Sequence, residues 1–395
     1  MLDDSEIQRL RADTPGCEHL IFFNNAGASL QPRSVVARVI QHLRLEEQIG
    51  GYEAADRVAA ELAEVYVSLA RLLQCAPEEI ALQENSTRAW DMAFYSMRFS
   101  AGDRIVTAAN EYASNYIALL QVARQTRAEI CVVESDQTGE VDLEALRKLL
   151  DQRVKLIALT HVPTNGGLVQ PAAQVGELAR RAGIPFLLDA TQSAGQIPLS
   201  VDDVGCDMLS ATGRKYLRGP RGTGFLYVRR SMLEKMEPPM LDLHAATWTA
   251  RDQFEIQRGA RKFESWESSA AIRLGMGVAI EYALSLGLDR IEGRIQALAA
   301  QLRDHLGEIR GVTVRDLGRV RSGIVTFTCE GREAGDVVQR LRADAIVVRV
   351  VERSATLIDM EQRNIDQLVR ASVHYYNTEL EIERLCESLR AIMKL

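Results

Sequence analysis

Between residues 78 and 228, short apolar runs alternate with stretches of helical period, and no other feature of the chain constrains its fold as strongly. Seven runs read as strands: Ile80–Gln83, Arg104–Ala108, Ile130–Glu134, Leu156–His161, Pro185–Asp189, Asp207–Ser210 and Gly224–Val228. Several are continuously apolar, as a strand covered on both faces must be. The stretches between them read as helices. The clearest runs from Pro171 to Arg181, with proline in its first turn and Gly183 just past its end. Alternation of this kind predicts an α/β fold with a mostly parallel, seven-stranded sheet and helices on both faces. Ligands in such sheets bind at the C-terminal ends of the strands.

The pattern changes after residue 230. Residues 234–261 carry Met, Pro, His and Trp with weak periodicity and read as an active-site or interface loop, in which His244 and Trp248 are candidates to line a site or to pack against a neighbour. Long helices are expected from Ser269 to Leu286, ended by Gly287, and from Ile291 to Leu306. Strands at Gly323–Phe327, Ile346–Val351 and Arg370–Tyr375, with helices at Ala334–Arg342 and Leu380–Met393, make a smaller C-terminal α+β domain. A chain of 395 residues is long enough for two domains of roughly 150 residues or more. The expected division is a large domain over residues 15–265, with residues 1–14 and 266–395 in the small one.

Composition excludes several classes. The net charge is -7, and Lys and Arg are scattered rather than gathered with aromatics, which argues against a nucleic-acid surface. Six cysteines lie far apart with no C-x-x-C pair, so no zinc site, other metal site or disulfide framework is expected. Most lie in apolar stretches and read as buried thiols. The first residues are polar and acidic, and no apolar run approaches the roughly 20 residues of a membrane span. A cytoplasmic protein with no membrane partner is expected.

The chemistry gathers at strand ends. Asp189 closes the buried run Pro185–Asp189 and Gln192 follows three residues later. Lys215 stands in a glycine-rich turn between two apolar runs, with Gly213, Gly219, Gly222 and Gly224 around it. These glycines would let the backbone approach a ligand closely. A lysine so placed, beside a carboxylate at a buried strand end, is what an enzyme using pyridoxal phosphate (PLP) needs. The lysine forms a Schiff base with the cofactor, and the carboxylate keeps the ring nitrogen protonated as an electron sink. Burial and Arg214 beside it would lower the lysine's pKa. Glu84–Arg88 follows a strand and opens a helix, so Ser86 and Thr87 fall at a helix N-terminus, where free N–H groups favour an anion. The same two residues would serve equally as a plain N-cap, Asp189 as a cap for the next loop, and Lys215 as a surface lysine near a turn. No dinucleotide fingerprint or Walker lysine motif is present.

Several ordered segments resemble the class V aminotransferase family, the fold-type I PLP enzymes that include cysteine desulfurases, selenocysteine lyases, isopenicillin N epimerase-like proteins and hercynylcysteine sulfoxide lyases. They are Phe22–Ala28, Glu84–Arg88, Thr160–Gly166, Leu188–Gln192, Ala211–Lys215 and Val369–Thr378, and they span nearly the whole chain. The resemblance implies Lys215 as the Schiff-base lysine and proton-transferring base, Asp189 as the partner of the ring nitrogen and Gln192 as a partner of the phenolic oxygen. It implies Tyr112 stacked on the cofactor, where the family usually has His. Ser86, Thr87 and Thr212 would hold the phosphate, and Thr164 or Asn165 would lie near the phenolic oxygen. Arg370 would clamp the substrate α-carboxylate, a task suited to a guanidinium fork; it could equally form a structural ion pair. Asn25 joins Arg370 as a candidate substrate contact. A homodimer is implied, with residues near Trp266–Ser268 of one subunit reaching the site of the other.

Three departures narrow the chemistry. Desulfurases of the family carry a reactive cysteine shortly before the arginine, whereas residues 350–360 contain none. Arg214 precedes the lysine where desulfurases usually have His, and Phe263–Ser268 replaces the usual Gly-Thr of the partner's phosphate loop. The wording of residues 263–268 and 357–360 is most similar to the sulfoxide lyase and epimerase-like branch, alongside the selenocysteine lyases. The expected function is a PLP-dependent C–S lyase that β-eliminates a cysteine S-conjugate or sulfoxide to pyruvate and ammonia. The alternatives are an aminotransferase or amino-acid epimerase, and, in another class, a PLP-fold protein that binds without catalysing.

Overall fold

The structure, a computed structural model, describes residues 2–394. All seven expected runs are strands of one sheet: β1 (Ile80–Gln83), β2 (Arg104–Ala108), β3 (Glu129–Val133), β4 (Val154–Thr160), β5 (Phe186–Asp189), β6 (Met208–Thr212) and β7 (Gly224–Val228). Their order across the sheet is β1-β7-β6-β5-β4-β2-β3. Every pair is parallel except the two made by β7, which runs against β1 and β6. The exception has a local cause: residues 213–223 contain no helix to carry the chain back across the sheet, and a direct return gives antiparallel pairing. β1, β5, β6 and β7 are buried at every position, as strands of mainly apolar residues covered on both faces should be. β6 runs two residues past its expected end because its pairing with β7 continues to Thr212 opposite Gly224.

The helix Ala172–Ala182 ends on Gly183 in the left-handed conformation, φ 66°, as the sequence suggests. Helix Ala270–Leu286 starts on its Ser269 cap and meets helix Leu288–Gly307 at 81° across Gly287, whose φ is 84°. The first of these packs on helices Arg33–Ile49 and Ala59–Leu73, the second on the C-terminal helix Glu379–Lys394. Residues 312–372 hold a four-stranded antiparallel sheet in the order Val312–Val314, Ile324–Cys329, Gln367–Ser372, Arg349–Glu352. No single helix among the described residues is long and apolar enough to cross a membrane.

Three segments differ from expectation. The run at 346–351 divides: Ile346–Val347 pairs in parallel with Ile21–Phe22, while Arg349–Glu352 joins the small sheet. The strand expected at 370–375 lies at Gln367–Ser372, because His374, Tyr375 and Tyr376 form a buried ring cluster with Tyr216 instead of extending the ladder. Residues 234–261 are not simply a loop. They contain the hairpin Ala246–Ala250 and Gln253–Ile256, whose positions are almost all exposed, so it carries no alternating apolar signature.

Candidate active site

Asp189 is the last residue of β5 and is 3% exposed. Its Oδ1 accepts from the Thr191 N–H at 2.9 Å and its Oδ2 from the Asn115 amide at 2.9 Å. Asn115 lies in the first turn of helix α2 (Ala113–Thr126) and donates also to Glu111 Oε1 at 2.8 Å. Glu111 is buried and accepts further from Thr107 Oγ1, the Thr160 N–H and hydroxyl, and the Tyr112 N–H. Burial pushes its pKa up to about 7. One amide therefore ties two buried carboxylates together at the cavity floor. Sequence reasoning passed over Asn115 and Glu111; their spacing of four in the chain, with Tyr112 between them, was the available signal.

Lys215 follows β6 in the adjacent turn. The Arg218 N–H donates to the Lys215 carbonyl at 2.9 Å, and the Gly219 N–H to the Gly213 carbonyl at 2.7 Å, closing the turn on itself. Here the glycines serve the chain rather than a ligand. A Cβ on Gly213 would lie 2.4 Å from Thr223 Oγ1, and one on Gly224 would lie 2.5 Å from the Asn85 backbone. Only Gly222 of the four lines the cavity. Lys215 is 8% exposed, and its amine makes no hydrogen bond or ion pair among the described residues. Burial first, then the Arg214 and Arg370 cations, hold its pKa well below the usual lysine value, against the opposing pull of Asp189.

Helix α1 (Ser86–Phe94) is capped by Asn85, whose side chain accepts from the Arg88 N–H at 2.8 Å. The cap is thus Asn85, and Ser86 and Thr87 occupy the first turn, where N–H groups have no partner within the helix. The Ser86 hydroxyl contacts that of Thr191. Thr212 lies beside them, but its hydroxyl donates to the Thr223 carbonyl at 2.9 Å.

Lys215, Asp189, Asn115, Ser86, Thr87, Thr191, Gln192, Thr212, Tyr112 and Thr164 all line one cavity of about 560 Å³ at the C-terminal ends of the strands. Tyr112 caps α2 and is half exposed. Gln192 donates to the Ala26 carbonyl at 3.1 Å, while its Oε1 is buried without a partner among the described residues. Arg370 stands behind Thr164, donating to its hydroxyl at 2.5 Å and to its carbonyl at 3.2 Å. It reaches Asn24 Oδ1 at 3.4 Å, and its Nε has no partner among the described residues. No carboxylate lies within ion-pair distance of it there, and burial lowers its pKa to about 10.

Some expected residues stand elsewhere. Asn165 is turned away and donates to Thr356 Oγ1 at 2.9 Å, so of the two alternatives only Thr164 lines the cavity. Asn25 does not line it either. Its amide donates to the Ser372 carbonyl at 2.7 Å and its oxygen accepts from Tyr376, an interior clamp that leaves no polar atom for substrate; the neighbouring Asn24 is the one that touches Arg370. His244 packs near Glu264 and Trp266, Trp248 is 79% exposed on the hairpin, and neither lines the cavity. Trp266 is exposed, with its backbone N–H donating to Asp242 Oδ2 at 2.7 Å, and does not line the cavity of its own chain.

No cysteine lines the cavity. Cys329 and Cys386 are buried, and burial pushes both thiols up to about 11. Residues 353–362 form a short 3-10 turn and helix. Asn165 pins them at Thr356, the Asp359 N–H donates to the Ala109 carbonyl at 3.1 Å, and Arg363 pairs with Asp359 at 3.1 Å.

The cavity suits PLP. A carboxylate fixed by two donors sits at its floor, a lysine amine without a partner faces it, a helix N-terminus opens on it, and Gln192 offers an orphaned buried atom.

Comparison with known proteins agrees. The model of the family described as aminotransferase class-V matches residues 21–385. A probable cysteine desulfurase of Xylella fastidiosa is 30% identical over 401 residues, covering 98% of this chain and 96% of its own. Another, of Halalkalibacterium halodurans, is 33% identical over 323 residues, covering 79% of this chain and 77% of its own. The apo structure of a cysteine desulfurase from Thermococcus onnurineus superposes with a TM-score of 0.91 at 26% identity, covering 98% of each chain. The chain therefore belongs to the class V aminotransferases, a family of PLP-dependent enzymes that includes the cysteine desulfurases.

Proposed function

We propose that this protein is a PLP-dependent C–S lyase that breaks the Cβ–S bond of a cysteine S-conjugate or sulfoxide by β-elimination, releasing pyruvate and ammonia. The observation that carries the reading is the composition of one site: a lysine of lowered pKa and a fixed carboxylate in a cavity with no thiol on its walls, and behind Thr164 the buried Arg370 guanidinium with no carboxylate partner among the described residues. The relatives named as cysteine desulfurases support action on a cysteine derivative. The missing thiol turns the outcome from persulfide formation to elimination.

PLP, when bound, supplies an electron sink for the pair left by the Cα proton. Ser86 and Thr87, at the N-terminus of α1, would hold its phosphate, Tyr112 would cover its ring, Gln192 and Thr164 would flank its phenolic edge, and Lys215 would link it to the chain. Asp189 keeps a proton on the ring nitrogen, its own oxygens already oriented by Asn115 and Thr191. The Arg370 fork grips the substrate carboxylate, which answers its buried charge. Lys215, held neutral by burial, accepts the Cα proton once its amine is free. The Cβ–S bond breaks with its pair on sulfur. A sulfenate or thiolate carries that charge away without attack by a protein thiol, and the released enamine hydrolyses to pyruvate and ammonia.

The test is a screen of cysteine S-conjugates and S-oxides against the holoenzyme. Equal amounts of pyruvate and ammonia are expected. Glutamate-dependent amine transfer, or inversion at Cα without loss of sulfur, would replace this reading by the transaminase or epimerase one.

A further inference from the structure

Glu111 is a buried carboxylate that the proposed chemistry does not use. It lies between β2 and α2, is 3% exposed and does not line the cavity. Five donors close on its two oxygens: the Tyr112 and Thr160 N–H groups, the Thr107 and Thr160 hydroxyls and the Asn115 amide. No cation stands within ion-pair distance of it among the described residues. A carboxylate taken out of water without a cation is costly, and a pin between strands needs no charge.

The groups around Glu111 point to where its counter-charge lies. β2 offers Thr107 and β4 Thr160, and His161 beside Thr160 is buried with its pKa lowered to about 4, so it is neutral near pH 7. α2 offers Asn115, whose one NH2 group donates to Glu111 at 2.8 Å and to Asp189 at 2.9 Å. Asp189 is the charged group that acts on Glu111, and it acts on Lys215 as well. Asp189 lines the cavity, where it would meet the ring nitrogen of PLP. The ring proton is thus the positive charge to which this line of groups leads.

We propose that Glu111 is a positioning residue for the cofactor: acting through Asn115, its negative charge adds to that of Asp189 and strengthens the hold on the ring proton. Asn115 fixes Asp189, and Glu111 fixes Asn115. The inference needs PLP but not the lyase outcome, since transamination and epimerisation draw on the same electron sink. As pH rises toward the range where the ring nitrogen would lose its proton, Glu111 ionises and its charge opposes that loss.

Nitrogen NMR of the holoenzyme, loaded with ring-labelled PLP, reads the protonation of that nitrogen against pH without turnover. In Glu111→Gln its proton affinity is expected to fall about tenfold, as removal of one unit charge from a protein interior several ångströms away should cause. Glu111→Asp keeps the charge and is expected to restore most of the loss. A purely structural pin would be disturbed by both variants alike. Equal shifts in the two therefore overturn the proposal, as does an unchanged nitrogen in Glu111→Gln. Wild type gives a second reading should Glu111→Gln not fold, because coupling between two sites is reciprocal. With carboxyl-labelled glutamate, Glu111 is expected to titrate at lower pH with PLP bound than with the analogue that has carbon in place of the ring nitrogen. Titration at the same pH with both ligands overturns the proposal as well.

Discussion

The floor and the mouth of the cavity are built in opposite ways. The floor comes from neighbouring strands of one sheet and the helices that follow them: Asp189, Asn115, Glu111, Thr160 and the Lys215 turn. Its polar atoms are densely satisfied, and Lys215 is the group left without a bond. The mouth is assembled from distant segments: Thr164, Arg214 and Arg221 line it, Arg370 stands behind Thr164 and against Asn24, and these cations lack carboxylate partners among the described residues. A satisfied floor fixes a cofactor and a reaction class. An unsatisfied mouth waits for the charges of a substrate.

The comparison can be broken most severely at the floor. Lys215→Ala is expected to lower turnover roughly 10⁴-fold. Borohydride should then no longer fix PLP to the chain, which mass spectrometry of the reduced protein reads directly. The variant should fold, since the lysine amine bonds to nothing.

Glu111 tests whether the floor is as tightly coupled as its geometry implies. Its carboxyl is held up at about 7 from an ordinary 4.5, so the folded chain binds this proton more tightly than the unfolded chain does. Its contribution is complete below about pH 4.5 and is lost as pH rises through 7, by up to about 3 kcal/mol. Urea unfolding at pH 5 and pH 8 should show that fall in wild type and a smaller one in Glu111→Gln.

At the mouth, Arg370→Lys replaces a fork by a point charge. Steady-state kinetics should show kcat/KM reduced roughly 100-fold while PLP stays bound. The smallest effect is expected where the mouth meets the 353–362 segment. Asn165→Ala removes the bond to Thr356 and should cost about 1 kcal/mol in urea unfolding.

The same contrast explains how much could be read from the sequence. The floor lies on continuously apolar strands, so β1 to β7 and the end position of Asp189 were visible in pattern alone. The Lys215 turn was visible through its glycines, although Gly213 and Gly224 make room for backbone rather than for ligand. The mouth depends on which face of an irregular segment points inward. Nothing in Thr164-Asn165 says which of the pair lines the cavity, nor in Asn24-Asn25 which one meets Arg370; the fold chose Thr164 and Asn24. The hairpin at 246–256 escaped notice because its faces are exposed and carry no period.

The most direct test of the central claim is the fate of carbon and sulfur when the purified holoenzyme meets an S-substituted cysteine sulfoxide and, separately, free cysteine. The account predicts pyruvate and ammonia in equal amounts from the sulfoxide, with no alanine. Alanine from free cysteine, with sulfur left as protein-bound persulfide, would contradict it and make the protein a desulfurase.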